Sequence, residues 1–223
     1  MEGKNKDIKY YTIYYITSQY EQPKVVGTEG LFVHMFEKYY RTGIMTVSDS
    51  STLNKISERV GSMKPNLVGK LLAPPLISDT LQRPINILRI KADYRIVYFY
   101  SPTCGHCRES APMLQKFVDA YKGKGIEVVA IAIDQSPEEW KKFIREFRLG
   151  KAINGYDFTH ITDYYHQYDV FTTPTVNVLD KNKRILAHRL PAGQIEDFIQ
   201  FQQRQQASKS NTTSPDDKEN LRN

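Results

Sequence analysis

Two cysteines three residues apart, where an apolar run gives way to a helical one, constrain this chain more than any other feature. The stretch runs Arg95-Ile96-Val97-Tyr98-Phe99-Tyr100-Ser101-Pro102-Thr103-Cys104-Gly105-His106-Cys107. Five of its first six residues are β-branched or aromatic, the signature of a buried strand. Pro102 has no amide hydrogen to donate and ends the ladder. Arg108 to Val118 then reads as a helix. Cys104 therefore falls at or just before a helix N-terminus, where unpaired amide hydrogens and the positive end of the helix dipole favour a thiolate. The two residues between, Gly105 and His106, bring both sulfurs onto the first helical turn, close enough to form a disulfide. A dithiol so placed is suited to redox work.

Other uses of the spacing fit less well. Tetrahedral zinc needs four ligands, but Cys104 and Cys107 are the only cysteines. His34, His160, His166 and His188 show no ligand pair at helical or knuckle spacing, so no metal is expected and no cofactor is called for. Haem attachment needs His directly after the second Cys, where Arg108 stands. A purely structural disulfide closing so short a loop would restrain the unfolded chain little.

At 223 residues the chain can hold one well-cored domain plus an appendage. Its net charge of +6 is scattered, with no long Lys/Arg run, which argues against a nucleic-acid partner. No run of about 18 apolar residues exists to span a bilayer. The start, Met1 to Asp7, lacks the features of a signal peptide. The expectation is a cytosolic protein or a piece of an exported precursor, with membrane attachment only through an anchor absent from this chain.

Residues 8–20 are tyrosine-rich and ambiguous between strand and helix, and read as the edge of a larger domain. Leu31, Phe32, Met35, Phe36, Tyr39 and Tyr40 recur at helical spacing up to Gly43, a natural residue after a helix end. Ser51-Thr52 is placed to cap a second helix carrying Leu53, Ile56, Val60 and Met63, ended by Pro65. These stripes read as packing surfaces, and His34 as a surface or boundary residue. Gly69 to Pro75 leads into the next domain, and Leu76–Gln82 with Ile85–Ile90 suggests a short hairpin. Ile126–Asp134 is a continuous apolar run typical of a central parallel strand. Ser136-Pro137-Glu138-Glu139 starts a helix carrying Trp140, Phe143, Ile144 and Phe147 toward Gly150. A helical piece at about 162–168 leads to Thr173-Pro174-Thr175, and then Val176–Asp180 and Arg184–His188 form an antiparallel hairpin. Gln194–Gln203 makes a last helix, and from about Ser208 the polar composition suggests disorder. The domain expectation is 1–66 a mainly helical segment, 67–205 the redox domain, and 206–223 a disordered tail. A right-handed crossover makes the first two long strands parallel, and the hairpin adds antiparallel ones. That order is the α/β thioredoxin fold, with a short helical segment in front.

Residues 67–203 resemble bacterial thiol-disulfide oxidoreductases of the TlpA/ResA type. The matching motifs are Val68-Gly69-Lys70 with Ala73-Pro74, Cys104-Gly105-His106-Cys107 with Pro112, Val128–Asp134, Thr173-Pro174-Thr175, and Leu179-Asp180 with Asn182-Lys183. The helices at 31–64 are similar to the end of a domain preceding such modules in bacterial envelope proteins. The resemblance implies Cys104 as nucleophile, Cys107 as resolving thiol, and Pro174 as a cis-proline facing them. It implies Thr173 backbone free to pair with a substrate segment. It implies protein thiols and disulfides as substrates, an upstream redox partner, and a periplasmic or envelope location. Two departures matter: where relatives carry an acid near the second thiol, this chain has Tyr98 and Ser110. Thr103 stands where relatives often have Trp. The expected chemistry is attack by Cys104 on a substrate disulfide and displacement by Cys107, with His106, when cationic, stabilising the Cys104 thiolate. The alternatives are a thiol peroxidase-type protein and a binding module whose dithiol is incidental.

Overall fold

The computed structural model describes residues 2–212, apart from Gln22, Lys24, Ser48 and Gln135. Seven strands form one sheet: β1 (Ile77–Ser78), β2 (Pro84–Ile85), β3 (Tyr94–Tyr100), β4 (Ile126–Ala132), β5 (Ile153–Tyr156), β6 (Thr175–Leu179) and β7 (Ile185–Ala187). Their order is β2-β1-β5-β4-β3-β6-β7. β3 pairs in parallel with β4 and antiparallel with β6, as the chain's connections require. The helices are α1 (Glu2–Glu21), α2 (Glu29–Met35), α3 (Ser50–Met63), α4 (Gly105–Tyr121), α5 (Pro137–Glu146), α6 (Tyr164–Tyr168) and α7 (Ile195–Thr212). This is the thioredoxin fold, a mixed sheet flanked by helices, with further helices in front.

The unbroken apolar run of β3 follows from burial on both faces. Tyr94, Ile96, Tyr98 and Tyr100 join the cluster with Leu114 of α4 and Trp140 and Phe143 of α5. Val97 and Phe99 face the opposite cluster with Leu72 and Tyr168. Truncating fully buried Phe99 to Ala would cost about 3–5 kcal/mol. Arg95 is the one charged residue in the strand, and it is buried. Its guanidinium donates to the carbonyls of Ile90 and Asp180, 2.9 Å each, which satisfies the donors that burial removes from water. The segment 69–72 hydrogen-bonds along β7, with Gly69 N to Ile185 O at 2.7 Å and Ile185 N to Lys70 O at 2.8 Å. It thereby covers what would be an open sheet edge.

The structure departs from the sequence reading, or decides what it left open, at five places. Residues 8–20 are helical, within α1. Asp49, not Ser51-Thr52, caps α3: its carboxylate accepts the Thr52 amide at 2.7 Å, and Ser51 and Thr52 lie inside the first turn. The helix from Glu29 continues past Met35 as a π-helical turn, Phe36–Tyr40, before Gly43 takes its left-handed φ of +75°. β5 is a strand that the sequence reading left out. Finally, α7 runs to Thr212 instead of ending at Gln203; residues 213–223, most of the tail expected from 206, lie outside the described residues. Helices α1 to α3 bury a cluster of their own, with Ile13, Phe32, Phe36, Val60 and Met63 at its centre.

Candidate active site

The strand β3 ends at Tyr100 and α4 begins at Gly105, and Cys104 is the residue that caps α4. Its backbone is extended, so its side chain sits over the first turn, where the free amides point. Cys104 is partly exposed and Cys107, one turn in, is fully buried; both are free thiols. Thr173 faces them from the loop before β6, with Cys104 Sγ donating to its carbonyl oxygen at 3.4 Å. The Thr173–Pro174 peptide is cis, as the resemblance implied. Thr173 N–H has no hydrogen-bond partner among the described residues.

The two thiols differ electrostatically. Burial pushes Cys104 up, but hydrogen bonding with the Thr173 side chain, with the Cys107 amide and thiol, and with the His106 amide outweighs it, and the net shift is downward. Burial pushes Cys107 up to about 12, and the neighbouring Cys104 adds to the rise. The arrangement holds one thiol ready to ionise in contact with solvent and one kept protonated beneath it.

His106 is the residue expected to stabilise the Cys104 thiolate through its charge. It is 84% exposed, with Nδ1 3.5 Å from Glu109 Oε2, so water screens its charge and a carboxylate offsets it. What His106 gives Cys104 is its backbone N–H. Gly105 opens α4 on an exposed face, with no heavy atom within 4 Å of where a Cβ would stand.

Tyr98 and Ser110, at the two positions where an acid is absent, meet beneath Cys107. Their side-chain oxygens are 2.7 Å apart in the buried interior, and Ser110 Oγ donates to the Cys107 carbonyl at 3.2 Å. Ser110 has one proton and it is spent on that carbonyl, so Tyr98 is the donor between them. The Tyr98 hydroxyl also hydrogen-bonds with the Cys107 side chain, and burial drives its own pKa up. A neutral hydroxyl pair thus occupies the place of a carboxylate.

Asp134 escaped the sequence reading. Its Oδ2 accepts from Ser101 Oγ at 2.6 Å and Thr103 Oγ1 at 3.3 Å, bracing the loop before Cys104. A signal was present, because parallel neighbours end side by side: Tyr100 of β3 pairs with Ala132 of β4, which puts the residues just beyond both strands at one edge. Among the described residues no group of three His, Cys, Asp or Glu side chains is placed to hold a metal.

Known proteins resemble this chain in sequence and fold. The thioredoxin-like family model matches residues 92–185. A domain of a possible thiol-disulfide isomerase from Cytophaga hutchinsonii is 34% identical, covering 63% of this chain and 97% of that one, with a TM-score of 0.59. The thiol-disulfide oxidoreductase ResA of Bacillus cereus is 23% identical over 133 residues, 60% of this chain and 70% of the relative. A thioredoxin-like protein from Bacteroides caccae shares the fold over 85% of this chain and 76% of its own, at 19% identity and a TM-score of 0.63. That share is too large for residues 67–212 alone, so the likeness reaches into the N-terminal helices. The chain belongs to the thioredoxin-like thiol-disulfide oxidoreductases of the bacterial TlpA/ResA type.

Proposed function

We propose that this protein exchanges disulfides with protein substrates through Cys104 and Cys107. The Cys104 thiolate attacks one sulfur of a substrate disulfide, forming a mixed disulfide and releasing the other sulfur as a thiolate that takes up a proton. Cys107 then loses its proton and attacks Cys104 Sγ. The second substrate sulfur leaves as a thiol, and the 104–107 disulfide remains. Two electrons and two protons pass to the substrate, and an upstream dithiol partner must restore the pair. The observation that carries this reading is the contrast between the thiols: Cys104 partly exposed with a lowered pKa, Cys107 buried and pushed up to about 12.

Thr173 and Pro174 are the proposed substrate-binding residues. The unspent Thr173 N–H and the nearby carbonyl present one strand edge beside Cys104, which suits pairing with an extended segment. The ResA-type relatives support an envelope location, and the exchanging domain in this reading is residues 67–205, with residues 1–66 a mainly helical segment in front. The test is insulin-disulfide reduction by the protein and by its Cys104→Ser variant. Loss of turnover in the variant is expected, and equal activity in both would overturn the reading.

A further inference from the structure

A cleft of about 840 Å³ lies between the N-terminal helices and the loop that carries Thr173. One wall is Val26, Glu29, Lys55 and Ile56; Phe171 and Thr172 form the side nearest the dithiol. That volume is in the range of ligand sites. The wall is held in place by specific polar contacts across the chain. Arg59 of α3 pairs with Asp169, whose carboxylate is fully buried, and the Arg59 guanidinium stacks 4.0 Å from the centre of the Phe171 ring. Glu58 Oε1 meets His166 Nε2 at 2.7 Å, and Asn66 Nδ2 donates to the Gln167 carbonyl at 3.0 Å. His188 Nε2 lies 2.9 Å from the same Asp169 carboxylate, and its other ring nitrogen lies 2.6 Å from Asn177 Oδ1 on β6. Removing charges from water is costly unless they are paired, and here they fasten α3 to residues 166–171, immediately ahead of the residue touching Cys104.

We infer that this cleft is the subsite for the polypeptide flanking the substrate cysteine, so that the N-terminal helices form one wall of the substrate groove. The inference rests on the exchange reading above and names its substrate class: disulfides within extended polypeptide, not small disulfides. Two features of the cleft select that occupant. It is continuous with the proposed pairing edge, because Thr172 lines it and Thr173 reaches Cys104. An extended chain advances about 3.3–3.6 Å per residue, so a strand lying along Thr173 enters the cleft within a few residues of its cysteine. The lining is also mixed. Phe171 and Ile56 offer apolar contact, and one Glu29 carboxylate oxygen is buried without a hydrogen-bond partner among the described residues, in a residue 4% exposed. A peptide backbone supplies the N–H donors that this oxygen lacks.

The test is a footprint of Lys55, which is exposed on the wall. In a Cys107→Ala background, Cys104 is trapped in a disulfide with a peptide of about fifteen residues or with 2-mercaptoethanol, and Lys55 acetylation is timed by mass spectrometry. The peptide adduct is expected to slow acetylation at least fivefold relative to the mercaptoethanol adduct. Equal rates would overturn the inference. As a second measurement, Lys55→Trp is expected to lower kcat/KM for insulin at least fivefold more than for hydroxyethyl disulfide, and a ratio within twofold of the parent's would also overturn it. Failure of the exchange reading itself looks different: the parent protein would then reduce neither disulfide.

Discussion

The control of Cys104 can be divided between backbone and side chain with two substitutions at one position. His106 is the second residue of α4, its imidazole in solvent and its amide hydrogen-bonded with Cys104. His106→Ala removes the imidazole and keeps the N–H. His106→Pro removes both, yet proline is tolerated in a first helical turn. A hydrogen bond to a charged group is worth about 1.5–3 kcal/mol. The partial exposure of Cys104 places it at the lower end, and about 1.4 kcal/mol is a tenfold change in an equilibrium. His106→Pro should therefore cut the thiolate population of Cys104 roughly tenfold at a pH below its pKa, and lower the reduction potential by about 30 mV. His106→Ala should change the thiolate population less than twofold, as expected for an exposed charge. The assay is the pH dependence of iodoacetamide alkylation, with a glutathione redox titration for the potential. If the Ala variant shifts as far as the Pro variant, the imidazole is the control and the reasoning fails.

Alkylation of the reduced protein near pH 6 should label Cys104 almost exclusively, since burial holds Cys107 protonated up to about 12; label on Cys107 first would reverse the proposed roles. A Cys107→Ala variant should accumulate mixed disulfides with substrate, visible on non-reducing gels, and their absence would refute Cys107 as the resolving thiol. Tyr98→Phe removes the hydroxyl that donates to Ser110 beneath Cys107 and should cost about 1 kcal/mol of stability. It should also lengthen the lifetime of the mixed disulfide severalfold in stopped-flow traces, and an unchanged lifetime would remove Tyr98 from the resolving step. Asp157 is held down to about 2: burial raises it, but hydrogen bonds from Thr159 and Thr162 prevail. The lowered pKa means that its stabilisation is present above the ordinary value of 3.8 and is lost as pH falls toward 2. Asp157→Asn should flatten that part of the acid unfolding curve, and an unaltered curve would count against it.

What could be read in the sequence was what neighbouring residues decide among themselves. β3 and β4 were legible because both faces are buried, which leaves a continuous apolar run that solvent-facing alternation would have broken. β5 was not, because Asn154 and Gly155 carry poor strand propensity. Gly155 is there for packing: a Cβ would stand 2.6 Å from Ile77 Cδ1 of β1, a contact set by a strand 78 residues earlier in the chain. α1 was ambiguous because large tyrosines occupy its outer face, which blurs the apolar stripe of the inner one. Tyr11, Tyr14 and Tyr15 are exposed, while Ile13 and Thr17 turn inward at helical spacing. The pairing of Arg59 with Asp169 left no local mark at all, since it depends on how α3 meets α6.

The dithiol shows the same boundary inside a single motif. Strand, proline and helix fix where Cys104 stands, and a cap position faces free amides whichever residues follow it. The direction of the His106 side chain is a different matter. At the second position of a helix the Cβ projects outward from the axis, while the N–H points along it toward the cap. A histidine between two cysteines invites an electrostatic reading of its ring, but the helix turns that ring to solvent and turns the amide to the sulfur. The ring stands in solvent, with Glu109, one turn on, 3.5 Å from it. The neutral pair of Tyr98 and Ser110 completes the arrangement from below: Tyr98 donates to Ser110 beneath the buried thiol, where relatives carry an acid. On this geometry, the Cys104 thiol is held down by hydrogen bonds shared between side chains, those of Thr173 and Cys107, and amides, those of Cys107 and His106.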